Sequence, residues 1–314
     1  MGIKEILLLT NDETKTVMSN SFNIELIAAR DIPSIDDPGL TYADFDNKQK
    51  KTKLIETCVL HIDLRHSTRL NFEQSPLILA KLYSCFTRGV IKCVEFYRGE
   101  VKNIAGDRVM AIFPADDCYK NAVNAAILLH SFTSYILNRH FKNALIKCGI
   151  GIDYGKMLVV KVGTIKHGSS NPDYKSLVWL GPPANIASKL ADMANKSFSR
   201  PVVNVAKRYP WRSDLDWTKK EIDEFFDGLT MTYSYEKVAQ FKEPFIWSFF
   251  KSVAYKSYSA ILMTKRVYNG FKQSCPNEQS IVNRWWKPRK IDISGYHDII
   301  YEGSVYFTFV EKLQ

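Results

Sequence analysis

Several things are missing from these 314 residues, and each absence excludes a class of protein. No apolar run reaches about 18 residues. The nearest, Phe245 to Leu262, is broken by Lys251 and Lys256 and holds many polar residues, so no stable membrane insertion is expected. The opening MGIKEILLLTNDETK is too short and too soon acidic for a secretory signal. Cysteine is sparse, and the six (Cys58, Cys85, Cys93, Cys118, Cys148, Cys275) form no CxxC pair. They read as reduced thiols of a cytoplasmic protein. The six histidines have no metal-ligand spacing, and no GxxxxGK[ST] loop is present, so neither a zinc enzyme nor a P-loop enzyme is supported. Basic residues are plentiful but form no dense cluster. The formal charge of +10 therefore gives little support to nucleic-acid binding, and serves equally well to concentrate a polyanionic substrate.

What is present is the composition of a globular protein, 46% hydrophobic and 24% charged. The length suits one catalytic domain of about 200 residues with an accessory region. Residues 1–54 read as a lead-in, with a turn-rich stretch from Asp31 to Asp46. Residues 55–200 read as the catalytic core, and 201–314 as a region that completes it, an accessory α-rich element, or both. TCVLHIDLRHST (57–68) is an apolar strand with Asp63 near its end, leading into a helix. Pro76 to Ile91 has helical spacing. CVEFYRGEVKNIAGDRVMAIFP (93–114) reads as a hairpin turning at Gly106-Asp107, and a helix follows Asp116-Asp117. LIKCGIGIDYGKMLVVKVG (145–163) suggests a strand, a glycine turn and a return strand. SLVWLGPPANIASKLADMA (176–194) suggests a strand, a Gly-Pro-Pro turn and a helix opening near Asn185. Further on, Arg212–Phe226 and Pro244–Tyr268 look helical and Ser304–Phe309 looks like a terminal strand. Helices joined to antiparallel hairpins favour an α+β architecture.

Asp63 and Asp107 are the sharpest chemical pair. Two carboxylates on neighbouring strands repel each other unless a divalent cation lies between them, and such a pair can hold two Mg²⁺ or Mn²⁺ ions. The plainer alternative is a strand-end cap and a turn residue. The helix start after Asp63, with Arg65, His66, Ser67 and Thr68, could cradle phosphates, although Ser-Thr pairs also commonly cap helices. Asn185 and Lys189, spaced i,i+4, share a helix face that suits a ribose oxygen and a phosphate, or is simply an exposed polar face.

Read in order, HIDLRHST, NIAGDRVMAIF, GIGIDYGKM and WLGPPANIASKLADMA resemble the class III nucleotidyl cyclase catalytic domain, over roughly residues 55–200. The 44-residue interval between Asp63 and Asp107 is typical of that family. The resemblance implies a ferredoxin-like βαββαβ core with an antiparallel sheet packed by helices. It implies two divalent metals held by Asp63, Asp107 and the Leu64 carbonyl, a ribose contact at Asn185, and a transition-state cation at Lys189. It also implies a homodimer with sites at the interface. Two departures stand out. Lys189 replaces the usual arginine, whose planar fork lysine lacks. At the base-reading positions Asn103 and Val178 replace the lysine and aspartate that read adenine, and Val178 cannot hydrogen-bond a base through its side chain. The lead-in is similar to the bacterial pyrimidine cyclases of anti-phage defence. That subgroup implies a nucleoside triphosphate substrate, UTP ahead of CTP, and a cyclic product acting on a separate effector. A purine cyclase and a catalytically inactive nucleotide-binding sensor remain the alternatives.

Overall fold

The computed structural model describes residues 2–163, 175–233, 237–291 and 293–312, arranged as two units. The first unit comprises residues 1–195 and 259–314, and the second residues 196–258. The first opens with helix α1 (Ile3–Val17), β1 (Asn23–Ala29), the long strand β2 (Gln49–Leu64), α2 (Ser67–Glu73) and α3 (Pro76–Phe96). The hairpin β3 (Glu100–Ala105) and β4 (Arg108–Ile112) follows, then α4 (Cys118–Ser131), which runs through a π-helical turn into the short α5 (Asn138–His140). Next come β5 (Cys148–Val162), β6 (Ser176–Leu180) and α6 (Pro182–Met193).

In the sheet, β5, β2, β4 and β3 lie side by side and antiparallel, the strand order of a ferredoxin-like βαββαβ core. This is the expected α+β fold. Among the described residues the sheet has nine strands and is mixed rather than purely antiparallel, because β1 joins β2 and a later strand joins β5 in parallel.

Alternation along β2 decides what packs where. Cys58, Leu60, Ile62 and Leu64 point to one face, where they are buried with Leu82, Phe86 and Val90 of α3 and Ala122, Ala126 and Leu129 of α4. Ile55 and Val59 point to the other face, with Met110 and Ile112 of β4 and Ala187 of α6. Asp63 belongs by parity to this second face, beside α6. That helix sits close to the sheet because β5 offers glycines beneath it. A Cβ on Gly151 would lie 2.1 Å from the Ala187 carbonyl oxygen, and one on Gly149 would lie 2.4 Å from that of Ala191.

The second unit contains β7 (Ser197–Lys207), β8 (Asp216–Glu221), α7 (Ile222–Asp227), the hairpin β9 (Leu229–Tyr233) and β10 (Lys237–Phe241), and β11 (Ile246–Ser257). Strands β11, β7 and β8 form an antiparallel sheet over a small core of Val203, Val205 and Phe225. The first unit then resumes with β12 (Ile261–Thr264), α8 (Lys265–Ser274), α9 (Gln279–Val282), β13 (Lys287–Lys290) and β14 (Ile299–Gly303). Strand β12 pairs parallel to β5, and β14 and β13 extend that edge.

Four local expectations need correction. Pro244–Tyr268 is mainly strand, with α8 starting only at Lys265. Its dense aromatic and β-branched residues suit a ladder against β7, where Phe249 lies opposite Val205. Arg212–Phe226 is helical only from Ile222. The last strand ends at Gly303, and Thr308–Lys312 is a 3₁₀ turn. Residues 148–162 form one continuous strand without a turn. Gly155 gives room to Pro183, whose Cγ would be 2.9 Å from a Cβ there. The six cysteines are unpaired, as expected. No helix among the described residues is long and apolar enough to cross a membrane.

Candidate active site

The hairpin turn between β3 and β4 lies against the end of β2. The Leu64 N–H donates to the Asp107 backbone carbonyl at 3.4 Å, and Asp63 is registered opposite Arg108. The two aspartates of the sequence reading therefore lie at one corner of the sheet. Asp63 is buried and Asp107 half-buried. Burial raises the Asp63 carboxyl above the ordinary carboxylate range, and the Asp107 charge adds to this. The Arg108 hydrogen bond opposes both.

Two guanidinium groups meet Asp63. Arg108 Nη2 donates to Oδ2 at 3.1 Å and Arg65 Nη1 to the same oxygen at 3.3 Å. Arg65 is itself buried, and its Nη2 uses the space that a Cβ on Gly149 would fill. Its Nε and Nη2 have no hydrogen-bond partner among the described residues. The side chain thus lies beneath α6 at Asp63. His66 has the left-handed backbone conformation at the start of α2, with Ser67 and Thr68 in the first turn of that seven-residue helix.

On α6, Asn185 and Lys189 are exposed along one face, and Lys189 Nζ donates to the Ser294 carbonyl at 2.8 Å. The helix is linked to Asp63 within the same chain, because Arg108 Nη1 donates to Ser188 Oγ at 2.9 Å. The base-reading positions lie on β3 (Asn103, exposed) and β6 (Val178, half-buried). Their neighbours meet, with Lys102 Nζ 5.6 Å from the Trp179 ring centroid. Sequence reasoning passed over Arg108 and Ser188. The available signal was strand parity, which puts Arg108 on the Asp63 face with Met110 and Ile112.

The donor set at the corner, two carboxylates and the Leu64 carbonyl, is all oxygen and suits a hard divalent cation. The buried Asp63 carboxylate already attracts cationic groups, which fits such an ion. Among the described residues no cluster of three or more His, Cys, Asp or Glu is found. A site of this kind therefore depends on two acidic side chains, with other oxygens completing the shell.

No family model matches the chain. It is 30% identical over 218 residues to a uridylate cyclase from Gulbenkiania mobilis, covering 66% of this chain and 75% of that one. To a uridylate cyclase from Rhodovulum sp. (strain MB263) it is 25% identical over 195 residues, 56% of this chain and 78% of the relative. Among solved structures, the adenylyl cyclase CyaB from P. aeruginosa is 15% identical with a TM-score of 0.47, covering 80% of this chain and 95% of that one. With its ferredoxin-like core and its kinship to these uridylate cyclases, the chain belongs to the class III nucleotidyl cyclase family.

Proposed function

We propose that the protein is a metal-dependent cyclase that converts a pyrimidine nucleoside triphosphate, UTP ahead of CTP, to its 3′,5′-cyclic monophosphate and pyrophosphate. The observation that carries this reading is the corner that joins buried Asp63 to Asp107. The curated uridylate cyclases that the chain resembles support the pyrimidine choice, as does Val178 where adenine readers have an acid. Asp63, Asp107 and the Leu64 carbonyl would hold divalent cations, Mg²⁺ or Mn²⁺, two per site. Bound there, such ions supply Lewis acidity to the ribose hydroxyl and neutralise the triphosphate.

The ribose 3′-hydroxyl gives up its proton to solvent, its oxygen forms a bond to the α-phosphorus, and the bond to the pyrophosphate oxygen breaks so that pyrophosphate leaves. Asn185 orients the ribose through its amide. Lys189 leaves the Ser294 carbonyl to meet charge on the transferring phosphoryl group. Since Asn185 and Lys189 face outward from α6, the site is completed in a homodimer, with the helix of one chain facing the aspartates of the other. The cyclic product would act on a separate effector in anti-phage defence.

A second reading, a nucleotide-binding sensor without turnover, draws on Arg108 at Asp63 and on Lys189 held by Ser294. Mass spectrometry of products from ATP, GTP, CTP and UTP, each with Mn²⁺, decides between them. Cyclic UMP as the dominant product, lost in Asp63→Asn, is the expected result. A cyclic purine product overturns the specificity. Turnover that survives in Asp63→Asn removes the metal role, and nucleotide binding without product favours the sensor.

A further inference from the structure

Arg108 follows Asp107 directly, yet its guanidinium serves other groups. One Nη2 contacts Asp63 Oδ2 at 3.1 Å and lies 3.8 Å from Asp192 Oδ1, while Nη1 donates to Ser188 Oγ at 2.9 Å. A single planar group thus spans the carboxylate assigned to the metal and the helix that carries Lys189. Its exposure differs from that of the other arginine on Asp63. The Arg108 side chain is 34% exposed, whereas that of Arg65 is 4% exposed beneath α6. Arg108 is thus partly open to solvent and held at the corner by polar contacts, whereas Arg65 is enclosed.

Two consequences follow from charge. A guanidinium and a divalent cation repel each other strongly at one oxygen, so they compete for Asp63 Oδ2. A guanidinium released from Asp63 stays tethered at the corner, bearing the bidentate fork that matches a phosphate and that Lys189 lacks.

We propose that Arg108 is a two-position cation of the active site: it neutralises buried Asp63 in the metal-free protein, and on metal binding it turns to the triphosphate of the substrate. This rests on the metal reading of Asp63 given above. In both positions Asp63 keeps Arg65 at 3.3 Å and has a second cationic partner, Arg108 or the metal. The phosphate fork absent at position 189 is supplied from the strand next to Asp63.

The test measures Mn²⁺ binding by electron paramagnetic resonance on the nucleotide-free protein. It also measures binding of 3′-deoxy-UTP, which has no attacking hydroxyl, at saturating Mn²⁺. Arg108→Gln is expected to bind Mn²⁺ about ten-fold more tightly and 3′-deoxy-UTP about ten-fold more weakly than the parent. Arg108→Lys, which keeps the charge and helps if the glutamine variant folds poorly, is expected to stay near the parent for Mn²⁺ while losing nucleotide affinity. Unchanged or weaker Mn²⁺ binding in Arg108→Gln, or unchanged nucleotide affinity, overturns the proposal. Asp63→Asn separates the two levels. If it abolishes Mn²⁺ binding while Arg108→Gln changes nothing, only the role of Arg108 fails; if it retains Mn²⁺ binding, the metal reading fails as well.

Discussion

Adding one methyl group to Gly151 tests how α6 is held over the sheet. The new Cβ would lie 2.1 Å from the Ala187 carbonyl oxygen, 2.3 Å from the Ala191 nitrogen and 2.8 Å from Leu190 Cβ. Two of these atoms are helix backbone, so no rotamer change relieves the contact. Ordinary carbon contacts lie near 3.5–4.0 Å, so the helix must retreat by roughly 1.5 Å. That movement loosens the fully buried Leu190 and the nearly buried Ile186. Overpacking of a tight core costs about 1–3 kcal/mol, and a backbone clash belongs at the top of that range. Spread over a chain of this length, about 3 kcal/mol lowers the melting temperature by roughly 4–5 °C. Calorimetry on Gly151→Ala alongside Gly106→Ala provides the comparison. At Gly106, where φ is 62° and nothing lies within 4 Å, a Cβ meets only the left-handed backbone penalty, about 1–2 kcal/mol. If Gly151→Ala proves no more destabilising than Gly106→Ala, the close seating of α6 on β5 is wrong.

Two further outcomes concern buried charge. Asp153 is fully buried and accepts from Arg266 Nε and Nη2 and from Thr264 Oγ1, each at 2.7 Å. Arg266→Met is expected to cost about 3 kcal/mol in denaturant unfolding, the low end for a broken buried pair because Arg266 is 43% exposed. Adding Asp153→Asn should recover much of that loss, and a single-variant cost below about 1 kcal/mol would show the pair to be dispensable. His61, buried with neither ring nitrogen partnered among the described residues, is pulled down to about 4 by burial, with the Arg108 charge adding to the effect. Between pH 6.5 and 4 the unfolded chain takes up a proton that the folded one refuses, so stability falls as pH falls through that window, by about 3 kcal/mol. His61→Met should flatten this slope relative to the parent, and an equal slope in the two proteins removes His61 as its source.

The elements that carry the candidate site were legible because their signals are local. A polar residue in an apolar strand marked Asp63, a Gly-Asp pair between apolar runs marked the hairpin, and i,i+4 spacing marked the exposed face of α6. What escaped depends on partners distant in sequence. Glycine in 148–162 reads as a turn when considered alone. It is only the proximity of Pro183 and the backbone of α6 that turns Gly149, Gly151 and Gly155 into spacers within one strand. The aromatic run of β11 fits either secondary structure by composition, and its pairing with β7 decides for strand. The link from Arg108 to Ser188 joins residues 80 positions apart.

The first unit is discontinuous, and this bears on how the chain matures during synthesis. Strand β5 stays open along Ile150–Ile152 until Ile261–Met263 arrives to pair with it, more than a hundred residues later. Residues 196–258 have their own small core and can organise while that edge waits. Pairing over such long separations closes late, since the loop must lose its freedom before the ladder repays it. A ribosome that stalls within the second unit would therefore release a chain with both aspartates but with its central sheet unfinished. Such a fragment would expose an unpaired strand edge to its neighbours, so truncation products should aggregate rather than accumulate as partial enzymes.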